Sequence, residues 1–197
     1  MAKRNIIFID VDGPLIPDRY WLSMPNAEVL AEAKGLMSVI RSNFEVKRKV
    51  KFDPVAVWMF NMWFKYSNAI GVLSTNWASH TSREEMEELF NLNGLEIELH
   101  EDCITPKKFT SYRCNEIQWW LDKHQKEVLN YIAVDDDLYM NPKSLATTGN
   151  DDYAFMGTRT VYVDFEMGLT RQNFVHGCNL LGIDLEKLNQ NELKIAT

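Results

Sequence analysis

A chain of 197 residues with a formal net charge of −7 is long enough to bury a core but too acidic to coat nucleic acid by its bulk charge. The three cysteines, Cys103, Cys114 and Cys178, are widely spaced and form no metal-ligand motif, so we expect reduced thiols. The first residues lead directly into a strand, and no apolar run is long enough to span a bilayer. We therefore expect a cytoplasmic protein with no membrane partner.

The first predicted strand, Asn5–Asp10, is an apolar run that ends in carboxylates. Alternation along a strand places Asp10 and Asp12 on the same side, and Gly13 lets the backbone turn sharply after them. An unpaired buried charge costs several kcal/mol, so this pair is not part of the core. Taken alone, the pair fits a functional site and a polar turn equally well.

Residues 18–53 form an insert between the first strand and the next helical pattern. Within it, residues 44–52 alternate between apolar and mainly basic side chains, and this period of two predicts a β-ribbon. The ribbon is either a flap that attracts a polyanionic substrate or a solvated face, which is the more common case. The basic side chains are those of Lys47, Arg48, Lys49 and Lys51.

The rest of the chain alternates between helices and strands, which predicts an α/β fold with a mostly parallel sheet and helices on both faces. Ligands bind beyond the carboxyl ends of the strands in such sheets, and Asp10, Ser74 and Asp135 all fall at such ends. The predicted helices are Asp53–Tyr66, Ser82–Asn91, Ser111–Lys126 and Thr170–Leu181. The further predicted strands are Ala69–Ser74, Glu96–His100, Tyr131–Asp135 and Thr160–Asp164.

Phosphoryl transfer by a carboxylate needs a nucleophile, an acid–base group and donors that hold the transferring group. Asp10 could attack phosphorus to form an aspartyl-phosphate, and Asp12 could protonate the leaving oxygen and then take a proton from water. Ser74 and Thr75 offer hydroxyls and turn amides to phosphate oxygens, although such residues more often cap a helix or form a loop. Trp77, just beyond them, could stack on a base, but a structural role is the more common one.

Three consecutive carboxylates, Asp135, Asp136 and Asp137, follow the fourth predicted strand. They repel one another, and a cation relieves that repulsion most simply. Hard oxygen ligands beside a phosphate site point to Mg²⁺. A solvated turn is the alternative, and the placement of the acids at a strand end favours the metal site.

The segment Ile6–Gly13 resembles the first motif of the haloacid dehalogenase (HAD) superfamily, Ser74 falls at its second motif, and Val134–Asp136 resembles its acidic fourth motif. The resemblance implies a Rossmann-like HAD fold over residues 1–197, with residues 18–53 as a short flap instead of a full cap domain. It also implies phosphatase rather than dehalogenase chemistry, because dehalogenases lack the second acid of the first motif.

Carried over by residue, the resemblance makes Asp10 the nucleophile and a metal ligand. Asp12 becomes the acid–base group and a metal ligand through its carbonyl oxygen, and Asp136 becomes a metal ligand supported by Asp135. The third motif of the superfamily normally supplies a lysine that binds phosphate. Here Arg113 occupies that place, with Lys107 and Lys108 as competing candidates.

Four further segments are similar to a small, largely uncharacterised bacterial and phage branch of HAD proteins, related to the HAD domain of RNA-repair proteins. They are Thr105–Pro106, Arg113–Asp122, Asp135–Met140 and Gly168–Thr170. The resemblance implies a Mg²⁺-dependent phosphomonoester hydrolase that acts on a nucleotide or a nucleic-acid end. A non-catalytic module that binds phosphate or a nucleic-acid end, or a phosphotransferase, is the alternative.

Overall fold

Five parallel strands form one sheet in the order β3-β2-β1-β4-β5 in this computed structural model, which describes residues 2–107, 112–137, 158–186 and 188. The predicted α/β fold with a parallel, Rossmann-like sheet is confirmed. The third strand begins three residues later than predicted and continues beyond His100. The strands are β1 (Arg4–Ile9), β2 (Ala69–Leu73), β3 (Leu99–Ile104), β4 (Val128–Asp135) and β5 (Thr160–Tyr162).

Two of the longer helices are capped by the residues at which the sequence predicts them to begin. The side chain of Asp53 accepts a hydrogen bond from the Val55 amide, and Ser82 forms a reciprocal capping box with Glu85. None of the helices within the described ranges combines the length and the apolar composition needed to cross a bilayer. The helices are α1 (Asp18–Trp21), α2 (Asn26–Glu32), α3 (Met37–Ser42), α4 (Phe44–Lys47), α5 (Pro54–Ser67), α6 (Arg83–Leu92), α7 (Arg113–His124) and α8 (Arg171–Leu181), with a 3₁₀ turn at Asn76–His80.

The two faces of the sheet are buried in separate hydrophobic clusters. Ile7 and Ile9 of β1 pack with residues of α5, α6 and α8, whereas Ile6 and Phe8 pack with residues of α7. This alternation is the period of two of a strand that is covered on both faces. Polar side chains are therefore free to gather only where the strands end.

The insert of residues 18–53 contains four short helices, so the β-ribbon predicted for residues 44–52 is wrong. The side chain of Asn43 accepts a hydrogen bond from the Glu45 amide (3.0 Å) and starts α4. Val46 and Lys47 are both buried and Arg48 and Lys49 are both exposed, a pattern that the alternation of a strand does not produce. Capping and tertiary burial outweigh the alternation of the sequence.

The basic residues of the insert also do not form a common face. Arg48 lies 3.2 Å from Glu88 and Lys49 lies 2.8 Å from Glu32, in separate ion pairs. Lys47 is fully buried. Its Nζ donates hydrogen bonds to the Trp77 carbonyl oxygen and to the Thr81 hydroxyl. The polyanion-binding flap that the ribbon implied has no counterpart in this arrangement.

Burial lowers the pKa of Lys47 from 10.5 to about 8, although the carboxylate of Glu85 acts in the opposite direction. Between these two values the unfolded chain binds the proton and the folded protein does not, so folding is penalised increasingly as the pH falls through this window. Below about 8 the penalty is complete. Lys47→Met removes it, and the hydroxyl of Thr81 still donates to the Trp77 carbonyl oxygen (2.6 Å).

We therefore expect Lys47→Met to gain stability over the wild type as the pH falls from 10.5 to 8, by about 3 kcal/mol, and to keep that gain below pH 8. Denaturant unfolding at intervals across this range measures the difference. Lys49→Met, which removes a half-exposed lysine from the same insert, is the control and should show no such trend. A gain for Lys47→Met that is independent of pH would contradict the interpretation.

Candidate active site

The carboxyl ends of the three central strands are tied together by the backbone. The Asp10 amide donates to the Val134 carbonyl oxygen (3.1 Å), and the Ser74 amide donates to the Ile9 carbonyl oxygen (2.9 Å). The side chains of Asp10, Ser74 and Asp135, each predicted at a strand end, are brought to one edge of the sheet and are buried there. The parallel direction of the strands produces this convergence.

Asp10 has two unequal carboxylate oxygens. Its Oδ1 accepts a hydrogen bond from the Val11 amide (2.8 Å), while its Oδ2 lies 3.5 Å from Nη2 of Arg113. Burial raises the pKa of Asp10, and the Asp12 carboxylate adds to that rise, while Arg113 and the Thr75 hydroxyl oppose it. Oδ1 thus has the shorter hydrogen bond, and Oδ2 has the longer contact with the guanidinium.

Arg113, the first residue of α7, carries the positive charge of the site. Its guanidinium contacts the Ser74 carbonyl oxygen and lies 3.5 Å from both Asp10 and Asp135. Burial alone would lower the pKa of Arg113, but the carboxylates of Asp10 and Asp135 outweigh burial and raise it. The guanidinium is thus a permanent cation in the centre of the acidic residues.

Of the two lysines that compete with Arg113 for the role of phosphate-binding base, the structure describes Lys107. Nζ of Lys107 donates to the Thr75 carbonyl oxygen (2.9 Å), to Asn76 Oδ1 (3.0 Å) and to Ser79 Oγ (3.1 Å). These contacts hold the turn after β2, and none of the three is with a carboxylate. Lys108 lies outside the described residues.

Asp10, Asp135 and Asp136 form a cluster in which one oxygen of each lies within 4.8 Å of the others. Oδ1 of Asp135 accepts a hydrogen bond from the Asp137 amide (2.9 Å), and its buried Oδ2 has no hydrogen-bond partner among the described residues. Burial raises the pKa of Asp136 to about 7, with Asp10 contributing, and raises that of Asp135 well above 3.8. A group of closely spaced carboxylate oxygens, one of which has no hydrogen bond, is suited to bind Mg²⁺.

Gly13 brings the backbone of the first motif against this cluster. It has φ of +81°, and an added Cβ would lie 2.6 Å from Cγ of Asp136. Gly13→Ala should therefore lower the free energy of unfolding by more than the ~1–2 kcal/mol that left-handed backbone strain alone costs. It should also weaken Mg²⁺ binding, because Asp136 must move. Denaturant unfolding and calorimetric titration with Mg²⁺ measure the two effects.

Gly94→Ala is the matched control for this prediction. Gly94 has a similar φ of +72°, but an added Cβ would meet nothing within 4 Å. It should show the backbone strain alone and leave Mg²⁺ binding unchanged. Equal losses of stability and equal Mg²⁺ affinities in the two variants would contradict the role given to the Gly13–Asp136 contact.

The carboxylate of Asp12 does not belong to the acidic cluster. Its Oδ2 accepts hydrogen bonds from Nη2 of Arg41 (2.5 Å) and from Nε1 of Trp77 (2.9 Å). Its Oδ1 is buried and has no hydrogen-bond partner among the described residues. The metal contact implied for Asp12 runs through its carbonyl oxygen and stays a prediction.

Sequence reasoning missed Arg41. For Trp77 it preferred a structural role to stacking on a base, and the burial of the ring agrees with that preference. Trp77 is fully buried, and its indole N–H is used by Asp12. Arg41 belongs to α3 of the insert, 29 residues after Asp12. No local spacing in the sequence marks that contact.

A second group of possible metal ligands, His100, His124 and Glu127, lies near the start of β3 and of β4. Nδ1 of His100 accepts a hydrogen bond from the Asp102 amide (3.0 Å), so the proton of the neutral ring is on Nε2, where it donates to Glu127 (3.1 Å). A metal at Nε2 would leave this ring with no proton at all. The group is therefore explained by its own hydrogen bonds.

Comparison with known proteins agrees with the resemblance found in the sequence. A sequence model of the family described as the HAD domain in Swiss Army Knife RNA repair proteins matches residues 6–174. No curated protein and no solved structure matches the chain. Family membership supports a hydrolase or phosphatase of the HAD type. The chain belongs to the family of HAD domains found in Swiss Army Knife RNA repair proteins.

Proposed function

We propose that the protein is a Mg²⁺-dependent phosphomonoester hydrolase that acts through an aspartyl-phosphate on Asp10. The observation that supports this most is the buried grouping of Asp10 with Arg113, Asp135 and Asp136 at the strand ends. A carboxylate beside a fixed cation and a group of metal-ligand oxygens is suited to attack a phosphate ester, whose own charge would otherwise repel it.

In the first step, Oδ2 of Asp10 forms a bond to phosphorus while the bond from phosphorus to the leaving oxygen breaks. Asp12 gives its proton to that oxygen, and the alcohol leaves. Water then attacks the phosphorus of the aspartyl-phosphate, and Asp12 takes a proton from the water. Inorganic phosphate and the free carboxylate of Asp10 are the products.

Asp10, Asp135 and Asp136, together with the carbonyl oxygen of Asp12, would hold the metal. Bound Mg²⁺ supplies positive charge that offsets the charges of the phosphate and of the carboxylates. Arg113 would contact a phosphate oxygen through its planar guanidinium. The Ser74 hydroxyl, buried with no hydrogen-bond partner for its oxygen among the described residues, would donate to another, with Thr75 beside it.

The substrate that we favour is a nucleotide or a nucleic-acid end. The description of the matched family refers to RNA-repair proteins, and the phosphomonoesters of an RNA strand are at its ends. The insert of residues 18–53 has only short helices and is smaller than a full cap domain. Such a site is suited to bulky substrates.

Phosphate release in the presence of Mg²⁺, measured across a panel of substrates, tests the proposal. The panel contains nucleoside monophosphates, sugar phosphates, and RNA and DNA oligonucleotides with 3′ or 5′ phosphates. We expect release from the nucleotides or the oligonucleotides, and loss of that release when Mg²⁺ is chelated. Salt-sensitive oligonucleotide binding by folded, Mg²⁺-binding protein that releases no phosphate would contradict it and favour a binding module.

A further inference from the structure

The Arg41–Asp12 ion pair joins the insert to the acid–base residue, and we propose that Arg41 is a positioning residue that orients Asp12 towards the leaving group. This inference rests on the proposed phosphatase function. It goes further by giving the insert a part in the proton transfer, through a residue that has no place in the four sequence motifs.

The first support is the direction of the hydrogen bonds at Asp12. Arg41 and the Trp77 indole, which belong to different elements, both donate to Oδ2, at 2.5 and 2.9 Å. Two donors on one oxygen fix the plane of the carboxylate and leave Oδ1 as the oxygen that can carry a proton. Since Oδ1 is buried with no hydrogen-bond partner among the described residues, it is available to a substrate oxygen.

The second support is the rigidity of the Trp77 side of this arrangement. The Trp77 ring is fully buried, and Nζ of Lys47 lies 5.7 Å from its centre. The ring of Trp21 packs against it at 6.3 Å. A donor held this firmly defines where Oδ2 must lie, and Arg41 then holds the carboxylate against it.

The third support is the way in which Arg41 itself is bonded. Its ion pair is with Asp12, and its Nε is buried without a hydrogen-bond partner among the described residues. A buried, unsatisfied N–H costs free energy. The placement of Arg41 is therefore better explained by what it does to Asp12 than by its own contribution to folding.

The effect of losing Arg41 on the rate should therefore depend on the leaving group. An alkoxide needs a proton as the bond to phosphorus breaks, whereas p-nitrophenolate leaves without one. Loss of Arg41 lets Asp12 rotate, so Oδ1 no longer meets the leaving oxygen. Attack by Asp10 should be unaffected, because within the described residues the ion pair of Arg41 is with Asp12 and not with Asp10.

The experiment compares kcat/KM of Arg41→Ala on p-nitrophenyl phosphate and on an alkyl phosphate, for which a ribonucleoside monophosphate is used. This ratio covers only the steps up to release of the alcohol, so it excludes the later step in which Asp12 takes a proton from water. We expect a loss of about 30- to 100-fold on the alkyl phosphate and of less than about threefold on the aryl phosphate. Arg41→Lys, which keeps a cationic donor, should recover part of the loss. Arg48→Ala, which removes an arginine of the same insert that pairs with Glu45 and Glu88, is the matched control and should match the wild type.

Equal losses on the two substrates, or no loss on either, would overturn the proposal. The indole N–H resonance of Trp77 gives a readout that needs no turnover, because its hydrogen bond reports where Asp12 lies. We expect that resonance to shift in Arg41→Ala and to return towards the wild-type position in Arg41→Lys. If the wild type releases no phosphate, the proposed function fails separately, and an unshifted resonance would still overturn the positioning role.

Discussion

Asp10→Asn should release phosphate at least about a thousandfold more slowly than the wild type, because an amide cannot form the aspartyl-phosphate. The variant should remain folded. The amide has the shape of the carboxylate, and its carbonyl oxygen can still accept the hydrogen bond from the Val11 amide. Arg113 keeps its contacts with Asp135 and with the Ser74 carbonyl oxygen. Phosphate release at saturating Mg²⁺ measures the loss.

Thermal unfolding with and without Mg²⁺ separates this loss from a loss of structure. Burial raises the pKa of Asp10, so its charged form is costly in the metal-free protein, and the neutral amide removes that cost. We expect the metal-free Tm of Asp10→Asn to equal or exceed that of the wild type, and Mg²⁺ to stabilise the variant less. Stabilisation by Mg²⁺ as large as in the wild type would exclude Asp10 from the metal site.

A matched variant tests whether the effect belongs to this carboxylate. Asp122→Asn changes an exposed aspartate of α7 that accepts a hydrogen bond from Gln118 (2.8 Å), and it should leave phosphate release unchanged. If a clean preparation of Asp10→Asn keeps its activity, the nucleophile is another group and the proposed mechanism is wrong.

The sheet was predictable from sequence because its signals are local. A strand buried on both faces needs a continuous apolar run, and the polar residues that end such a run have only the carboxyl edge to occupy. Asp10, Ser74 and Asp135 were placed by that logic alone. The insert was not predictable in the same way, since its alternation of apolar and basic side chains from Phe44 to Phe52 also fits short helices that bury Val46 and Val50.

The residues of the candidate site likewise differ in whether a local sequence signal marks them. Arg113 was one of three candidates for the third motif, and the structure places its guanidinium 3.5 Å from Asp10. Arg41 and Trp77 reach Asp12 from the insert and from the turn after β2, and the Arg41 contact depends on how the insert folds. A contact between elements that are distant in sequence has no periodicity to reveal it. Only the three-dimensional structure reveals such contacts.

Removal of Arg113 should have the second large effect, on stability as well as on activity. Its guanidinium lies between Asp10 and Asp135 and contacts the Ser74 carbonyl oxygen. Without it, two buried carboxylates have lost their cation, and loss of one partner of a buried ion pair costs ~3–5 kcal/mol. We expect Arg113→Ala to lower the free energy of unfolding by about 3 kcal/mol in metal-free buffer at neutral pH.

Two conditions should reduce this deficit, and both follow from the charges. Mg²⁺ should recover much of it, because a bound cation replaces the missing charge among the carboxylates. A lower pH should also reduce it. Burial raises the pKa of Asp10 and of Asp135, and protonated carboxyls need no cation, so the contribution of Arg113 is present at higher pH and is lost as the pH falls. Denaturant unfolding with and without Mg²⁺, at several pH values, measures both trends.

Activity then separates Arg113 from Lys107 as the base that binds phosphate. At saturating Mg²⁺, Arg113→Ala should lower kcat/KM by about a hundredfold or more, because it removes a fixed donor to the transferring phosphoryl group. Arg113→Lys should recover only part of this, since an ammonium cannot make the planar double contact. Lys107→Ala should lower kcat/KM less than Arg113→Ala does, because Lys107 holds the backbone of the turn after β2. If Lys107→Ala lowers kcat/KM while Arg113→Ala lowers stability alone, the phosphate contact belongs to Lys107, and Arg113 serves only to neutralise the buried carboxylates.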